Sequence, residues 1–222
     1  MTTATNLPSG APIDKDGVWS QVLKPSAGSR RRAALFLDRD GVVVEDVGYL
    51  HLPSETRLID GAVRAIANAN RRGIPVVLVT NQGGIGLGHY DWRAFVQVQD
   101  AIVESLAGAG AALDAVYACP HHPRGKAPFG CPDHPARKPN PGMLLLAAQA
   151  LRLDLAASWI VGDRATDIEA GHRAGLCGGT HVLTGHGTND GEREAALACA
   201  DPSFRVLGAA SIADAAAALP LF

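Results

Sequence analysis

The sequence predicts an α/β protein with a Rossmann-like, doubly wound parallel sheet covered by helices on both faces. Two observations carry that expectation. Short, almost wholly apolar runs alternate along the chain with stretches of helical period, the pattern that right-handed crossovers turn into a parallel sheet. Four of those runs also end at a polar side chain, namely Asp38, Thr80, Cys119 and Asp163. Parallel strands deliver such ends to one rim, and ligands of open α/β sheets gather there.

Residues 33–37, AALFL, read as the first buried strand, and Gly41 lets the backbone leave it sharply. An irregular connection follows, with Asp60 as candidate N-cap of a helix ending at Gly73. PVVLVT is the second strand; it opens into the glycine-rich loop NQGGIGLGHY, after which Asp91 caps a long helix. DAVYAC is the third strand, followed by a long polar loop and a helix begun at Asn140 and Pro141. SWIVGD is the fourth strand; a short helix, a strand in CGGTHVLTG, FRVLG and a closing helix complete the chain. There is no internal repeat. One domain is expected over residues 33–222, preceded by a flexible or loosely docked extension over 1–32 that Trp19 and Val22 anchor.

With 222 residues and a formal charge of -2, the chain suits one ordinary core and lacks a nucleic-acid binder's basic footprint. No apolar run approaches the roughly 20 residues of a membrane span, and the first residues lack the charged start and apolar stretch of a signal peptide. A cytoplasmic monomer acting on a small molecule, without membrane or nucleic-acid partners, is the expectation. Four cysteines in such a chain argue against a disulfide scaffold.

The chemistry concentrates at the strand ends. Asp38 and Asp40 are two like charges one residue apart, an arrangement that raises a pKa unless a cation or hydrogen bonds hold it. A calcium loop is disfavoured because the oxygen residues do not recur at alternate positions and the twelfth is not Glu. Asp163, in GDRATD, supplies a third carboxylate able to join Asp38 around Mg2+. Asp167 reads either as a contact to that metal's waters or the backbone, or as an exposed first-turn acid. Thr80, Asn81, Gln82, Gly83 and Gly84 offer a hydroxyl, amides and approachable N–H groups that suit a phosphoryl group, and Lys138 with Arg137 brings positive charge.

Together LDRDGV, TNQGGIG, RKPNPGM and VGDRATD resemble the four motifs of the haloacid dehalogenase superfamily of phosphatases. With CPHHP included, they resemble its heptose-bisphosphate phosphatase group, related to histidinol-phosphate phosphatases. Spacing leaves no room for a cap, since only a loop lies between the first strand and Asp60 and the insertion after Cys119 is expected to serve zinc. The resemblance implies Asp38 as nucleophile and Asp40 as general acid and base. It places Mg2+ between Asp38, Asp163 and the Asp40 carbonyl, and Thr80 and Lys138 on the phosphoryl oxygens. By the same resemblance Asp46, Val47, Gly48, Tyr49, Asn81, Gln82, Gly83, Arg137 and Arg164 line the substrate, expected to be heptose 1,7-bisphosphate. Histidinol phosphate, a polynucleotide 3'-phosphate and a catalytically dead, zinc-stabilised binding module are the alternatives. Val42 and Gly83 depart from the threonine and serine usual at those places.

Cys119, His121 and Cys131 make three-quarters of a tetrahedral zinc site in the loop 119–138. The relatives close it with Cys-x-Cys before RKP. Here CPDHPA stands instead, which makes His134 the expected fourth ligand, with Asp133 and then His122 as alternatives.

Overall fold

The computed structural model describes residues 12–25 and 30–221. Its centre is β2 (Leu35–Leu37), flanked by β3 (Val76–Asn81) and β5 (Trp159–Gly162), both parallel to it. β4 (Ala115–Cys119) lies outside β3, and β6 (Gly178–Val182) and β7 (Arg205–Ala209) outside β5, all again parallel. With β1 (Trp19–Val22) the sheet has seven strands in the order β1-β4-β3-β2-β5-β6-β7. The order reverses direction beside β2, which is where a doubly wound sheet opens a crevice for a ligand.

Period-two alternation sorts the strand side chains onto two cores. Leu35, Leu37 and Leu78 join Ile66, Trp92 and Phe95 on one face. That face is covered by α1 (Ala62–Arg71), α3 (Trp92–Gly108) and α7 (Ile212–Ala218). Phe36, Val77, Val79 and Ile160 join Leu144 and Ile168 on the other. Helices α4 (Gly142–Leu151), α5 (Ala165–Arg173) and α6 (Glu192–Leu197) cover it. β2 is fully buried on both faces, each large side chain adding about 1.5–3 kcal/mol, so the residues following Leu37 start from a rigid base. Residues 120–141 form no helix or strand.

Three expectations change. Of the extension 1–32, the part around Trp19 is built into the sheet: β1 pairs antiparallel with β4, and Trp19 stacks on Trp92 at 5.7 Å and meets Phe95 edge-on. Residues 1–11 lie outside the described residues. Asp60 does not cap α1; Gly61 occupies the N-cap at φ 86°, a left-handed conformation that glycine adopts without penalty. The glycine-rich loop contains a short helix, α2 (Gly83–Leu87). Its glycines answer to packing, since a Cβ on Gly84 would strike the Tyr90 ring and one on Gly86 the Pro120 carbonyl. The Asp91 cap is as expected, accepting from Ala94 N at 3.0 Å.

Candidate active site

The parallel strands bring their C-terminal ends to one rim around a cavity of about 370 Å3. Asp38 leaves β2 there, its N–H donating to Val161 O at 3.0 Å. Lys138 reaches it from the loop before α4. Its ammonium, 2% exposed, donates to Asp38 Oδ1 at 2.6 Å and to Val79 O at 2.9 Å, and pairs with Asp167 Oδ1 at 2.7 Å. Asn81 fixes the lysine backbone from both sides, Nδ2 donating to Lys138 O and Oδ1 accepting from Lys138 N, each at 3.0 Å. The lysine is thus held by β3 and shared by two acids; Asp38 Oδ2 has no hydrogen-bond partner among the described residues.

Asp163 follows β5 beside Asp38. Its Oδ2 accepts from His186 N at 2.7 Å, while Oδ1 is buried without a partner. Gly41 and Gly185 make room for that carboxylate, since a Cβ on either would overlap Oδ2. Ligand atoms of Asp38, Asp163 and Asp167 lie within 4.8 Å of one another. Burial, with Asp167 and Asp40 nearby, raises the Asp38 carboxyl to about 7 although Lys138 opposes the shift. Burial, then Asp38 and Asp167, raises Asp163 to about 9. Lys138 is pushed the other way: burial disfavours its charge, and Asp167 and Asp38 outweigh burial and raise it.

An all-oxygen donor set of hard carboxylates suits Mg2+, and the unpartnered Asp163 Oδ1 is the atom such an ion would satisfy. The Asp40 carbonyl accepts none of the backbone hydrogen bonds in its turn. Asp167 is a poorer donor, because Oδ1 is paired with Lys138 and Oδ2 accepts from Arg164 N at 3.0 Å. It is buried, not an exposed helix acid, and its place is that of the lysine's second anchor.

The remaining expected residues divide. Asp46, Gly48, Tyr49, Thr80, Asn81, Gly83, Arg137 and Arg164 all line the cavity. Asp46 spans part of it, its Oδ1 accepting from Gly48 N at 2.8 Å and its Oδ2 facing His186 Nε2 at 3.0 Å. Arg137 is steadied by donating from Nη1 to His121 O at 2.6 Å, whereas Arg164 is half-exposed, 3.6 Å from Glu192. Val47 is half-exposed and not part of the lining. Gln82 reaches the lining, yet its side chain is 2% exposed and its amide turns inward to Asp40, Thr80, Arg39 and Tyr90. His122, Tyr90, Thr166 and His186 also line the site without having been expected there. Nothing in their spacing marks them; His186 in particular comes from the loop after β6, far along the chain.

The metal-loop residues come only partly together. Cys119 Sγ lies 3.8 Å from His134 Nδ1, and the His121 and His134 rings stack at 3.7 Å. His121 Nε2 meets Asp16 O at 2.8 Å and so carries the proton, leaving Nδ1 buried and unpartnered. Among the described residues, however, Asp38, Asp163 and Asp167 are the only three or more acids, histidines or cysteines with ligand atoms that close together, so Cys131 does not complete a four-ligand cluster. Asp133 Oδ1 accepts from Asn140 Nδ2 at 2.6 Å, and His122 Nδ1 accepts from Arg124 N at 3.1 Å.

A doubly wound sheet whose central strand ends in two acids, faced by a third acid and a buried lysine from neighbouring loops, is the arrangement of the haloacid dehalogenase-like hydrolases. The "HAD-hyrolase-like" family model matches residues 135–209. The D-glycero-beta-D-manno-heptose-1,7-bisphosphate 7-phosphatase of Mesorhizobium japonicum is 45% identical over 168 residues, 76% of this chain and 77% of that protein. Among solved structures, a HAD-like protein from Mesorhizobium loti superposes with a TM-score of 0.81 at 41% identity, covering 94% of this chain and 95% of the other. The D,D-heptose 1,7-bisphosphate phosphatase of B. bronchiseptica, solved with magnesium and phosphate, gives 0.69 at 33% identity over 84% and 97%. The chain belongs to the haloacid dehalogenase-like hydrolases, in their heptose-bisphosphate phosphatase group.

Proposed function

We propose that this chain is a Mg2+-dependent phosphatase that removes the 7-phosphate of D-glycero-D-manno-heptose 1,7-bisphosphate. The observation that carries the reading is Asp38 held by buried Lys138 beside the unpartnered oxygen of Asp163, in a chain 45% identical to a phosphatase of that name. Asp38, Asp163 and the Asp40 carbonyl would hold the metal, which when bound supplies the positive charge that lets a carboxylate approach an anionic phosphate.

An Asp38 oxygen forms a bond to phosphorus while the bond to the sugar oxygen breaks, its electron pair leaving with that oxygen, which takes a proton from Asp40. Water then attacks phosphorus and gives its proton to Asp40, and the acyl-phosphate bond breaks back to the Asp38 carboxylate. Lys138 neutralises the incoming phosphoryl oxygens. Thr80 Oγ1 accepts from Gln82 Nε2 at 2.7 Å, so its own proton is available to the phosphate. Arg137 and Arg164, on the cavity wall, are suited to the second phosphate. Measured phosphate release should show kcat/KM for the heptose bisphosphate at least about 10²-fold above that for histidinol phosphate, a margin of about 2.7 kcal/mol in transition-state binding. Equal values would overturn the substrate assignment. The cytoplasm and a monomeric state remain part of this reading; among the described residues no helix is long and apolar enough to cross a membrane.

Structural zinc at Cys119, His121, Cys131 and His134 belongs to the same proposal. Its support is the orphaned His121 Nδ1, with a tautomer set by the Asp16 carbonyl as metal-bound histidines require, and the pairing of Cys119 with His134. Without a cation, burial drives the Cys119 thiol up to about 12, and metal binding would have to deprotonate it. Protein purified without chelator should contain close to one equivalent of zinc; less than about a tenth would exclude a structural site, because such sites bind tightly.

A further inference from the structure

Arg39 stands between the two acids of the first motif and has no role in the chemistry above. Its side chain is 1% exposed, an expensive place for a guanidinium unless geometry requires it. The side chain packs on the Phe95 ring at 5.7 Å, and its fork closes on Asp40, with Nε 3.1 Å from both carboxylate oxygens and Nη2 2.9 Å from Oδ2.

The same Nη2 donates to Gln82 Oε1 at 3.1 Å, and the Tyr90 hydroxyl donates to that Oε1 at 2.5 Å. Two donors on one oxygen fix which way the amide faces. Its Nε2 must then donate, and does so to Asp40 Oδ2 at 3.1 Å and to Thr80 Oγ1 at 2.7 Å. Asp40 Oδ2 therefore receives three hydrogen bonds and Oδ1 one, so Oδ1 keeps the capacity to carry and transfer a proton.

We infer that Arg39, Gln82 and Tyr90 are positioning residues that present Asp40 Oδ1 to the leaving oxygen. This rests on Asp40 being the acid and base of the proposed reaction. Nothing about the network depends on which sugar is bound, so the inference extends to any alkyl phosphate the site accepts.

The test compares kcat/KM, which reports the steps through the first bond cleavage, on the sugar phosphate and on p-nitrophenyl phosphate. A nitrophenolate leaves without a proton, so loss of a well-aimed acid is felt on the sugar phosphate alone. Tyr90→Phe deletes one hydroxyl, and Arg39→Lys keeps the charge but loses the fork. Tyr90→Phe is expected to lower kcat/KM on the sugar phosphate about ten-fold, and Arg39→Lys about a hundred-fold, within the 10²–10⁴ range that acid catalysis contributes, with less than about a three-fold change on the aryl ester. An equal loss on both substrates, or none on the sugar phosphate, would overturn the inference. If Arg39→Lys does not fold, as thermal melting would show, Tyr90→Phe decides alone. Asp40→Asn separates the two levels. Should it show no leaving-group selectivity, the assignment of Asp40 fails and the inference with it; should it be selective where the Tyr90 and Arg39 variants are not, only the positioning role falls.

Discussion

Asp38→Asn should lower phosphate release from the sugar bisphosphate by about 10⁴-fold or more, while the protein stays folded and keeps its affinity for phosphate. The size follows from the role: removing a nucleophile that forms a covalent intermediate eliminates the route, as opposed to weakening it. Preservation of the fold follows from the surroundings. An amide oxygen at the same place still accepts from Lys138 Nζ, which lies 2.6 Å from Asp38 Oδ1, and one negative charge leaves a cluster that burial and mutual repulsion already strain toward protonation. The variant's melting temperature should therefore match or exceed that of the unaltered chain. Mg2+-dependent turnover within ten-fold of the starting rate would take the nucleophile's role away from Asp38.

The sequence showed the architecture because the central strands are short uninterrupted apolar runs bounded by turn residues, the pattern of strands buried on both faces of a sheet. It showed the acids for the same reason: a run that must bury every side chain can place Asp38 or Asp163 only where it ends. What escaped it depended on contacts between distant segments. WSQV carries too few apolar residues to register as a strand, and becomes one by offering hydrogen bonds to the free edge of β4 and a ring to Trp92. Gln82 looked like a substrate contact, since a polar residue after a strand ordinarily faces solvent; only the arrival of Arg39 and Tyr90 gives its amide a reason to turn inward. Arg39 drew no reading from the sequence, because the wall that buries it is supplied by Phe95, more than fifty residues away. In the metal loop, ligand spacing indicated a zinc site, yet Cys119 and His134 approach each other without a closed four-ligand set. Spacing along a chain constrains which donors can meet but does not fix the distance between them.

Lys138→Met is expected to affect both stability and activity, because one ammonium serves two buried carboxylates. Methionine fills much the same volume, so the loss is electrostatic: Asp38 and Asp167, both buried, would face each other with nothing between them. Breaking a buried pair by removing one partner costs about 3–5 kcal/mol, and phosphate release should fall by about 10²-fold or more with the loss of a charge aimed at the transferring group. The cost should depend on pH in a definite direction. Asp38 is already raised to about 7 in the folded chain from 3.8, so the folded state holds its proton more tightly than the unfolded one. Such a group contributes stability that is present below the unfolded value and lost as pH rises through the folded one. Removing the lysine takes away the main influence that lowers this carboxyl, moving the folded value further up and extending the window of loss. Denaturation at pH 5 should then show a small deficit for Lys138→Met, and at pH 8 a larger one, measured without divalent cation. Adding Mg2+ at pH 8 should recover part of the difference, since an ion held by Asp38 and Asp163 supplies the positive charge that the lysine no longer does. A deficit independent of pH and untouched by Mg2+ would mean that Lys138 matters for packing, and that its charge is not what keeps these acids together.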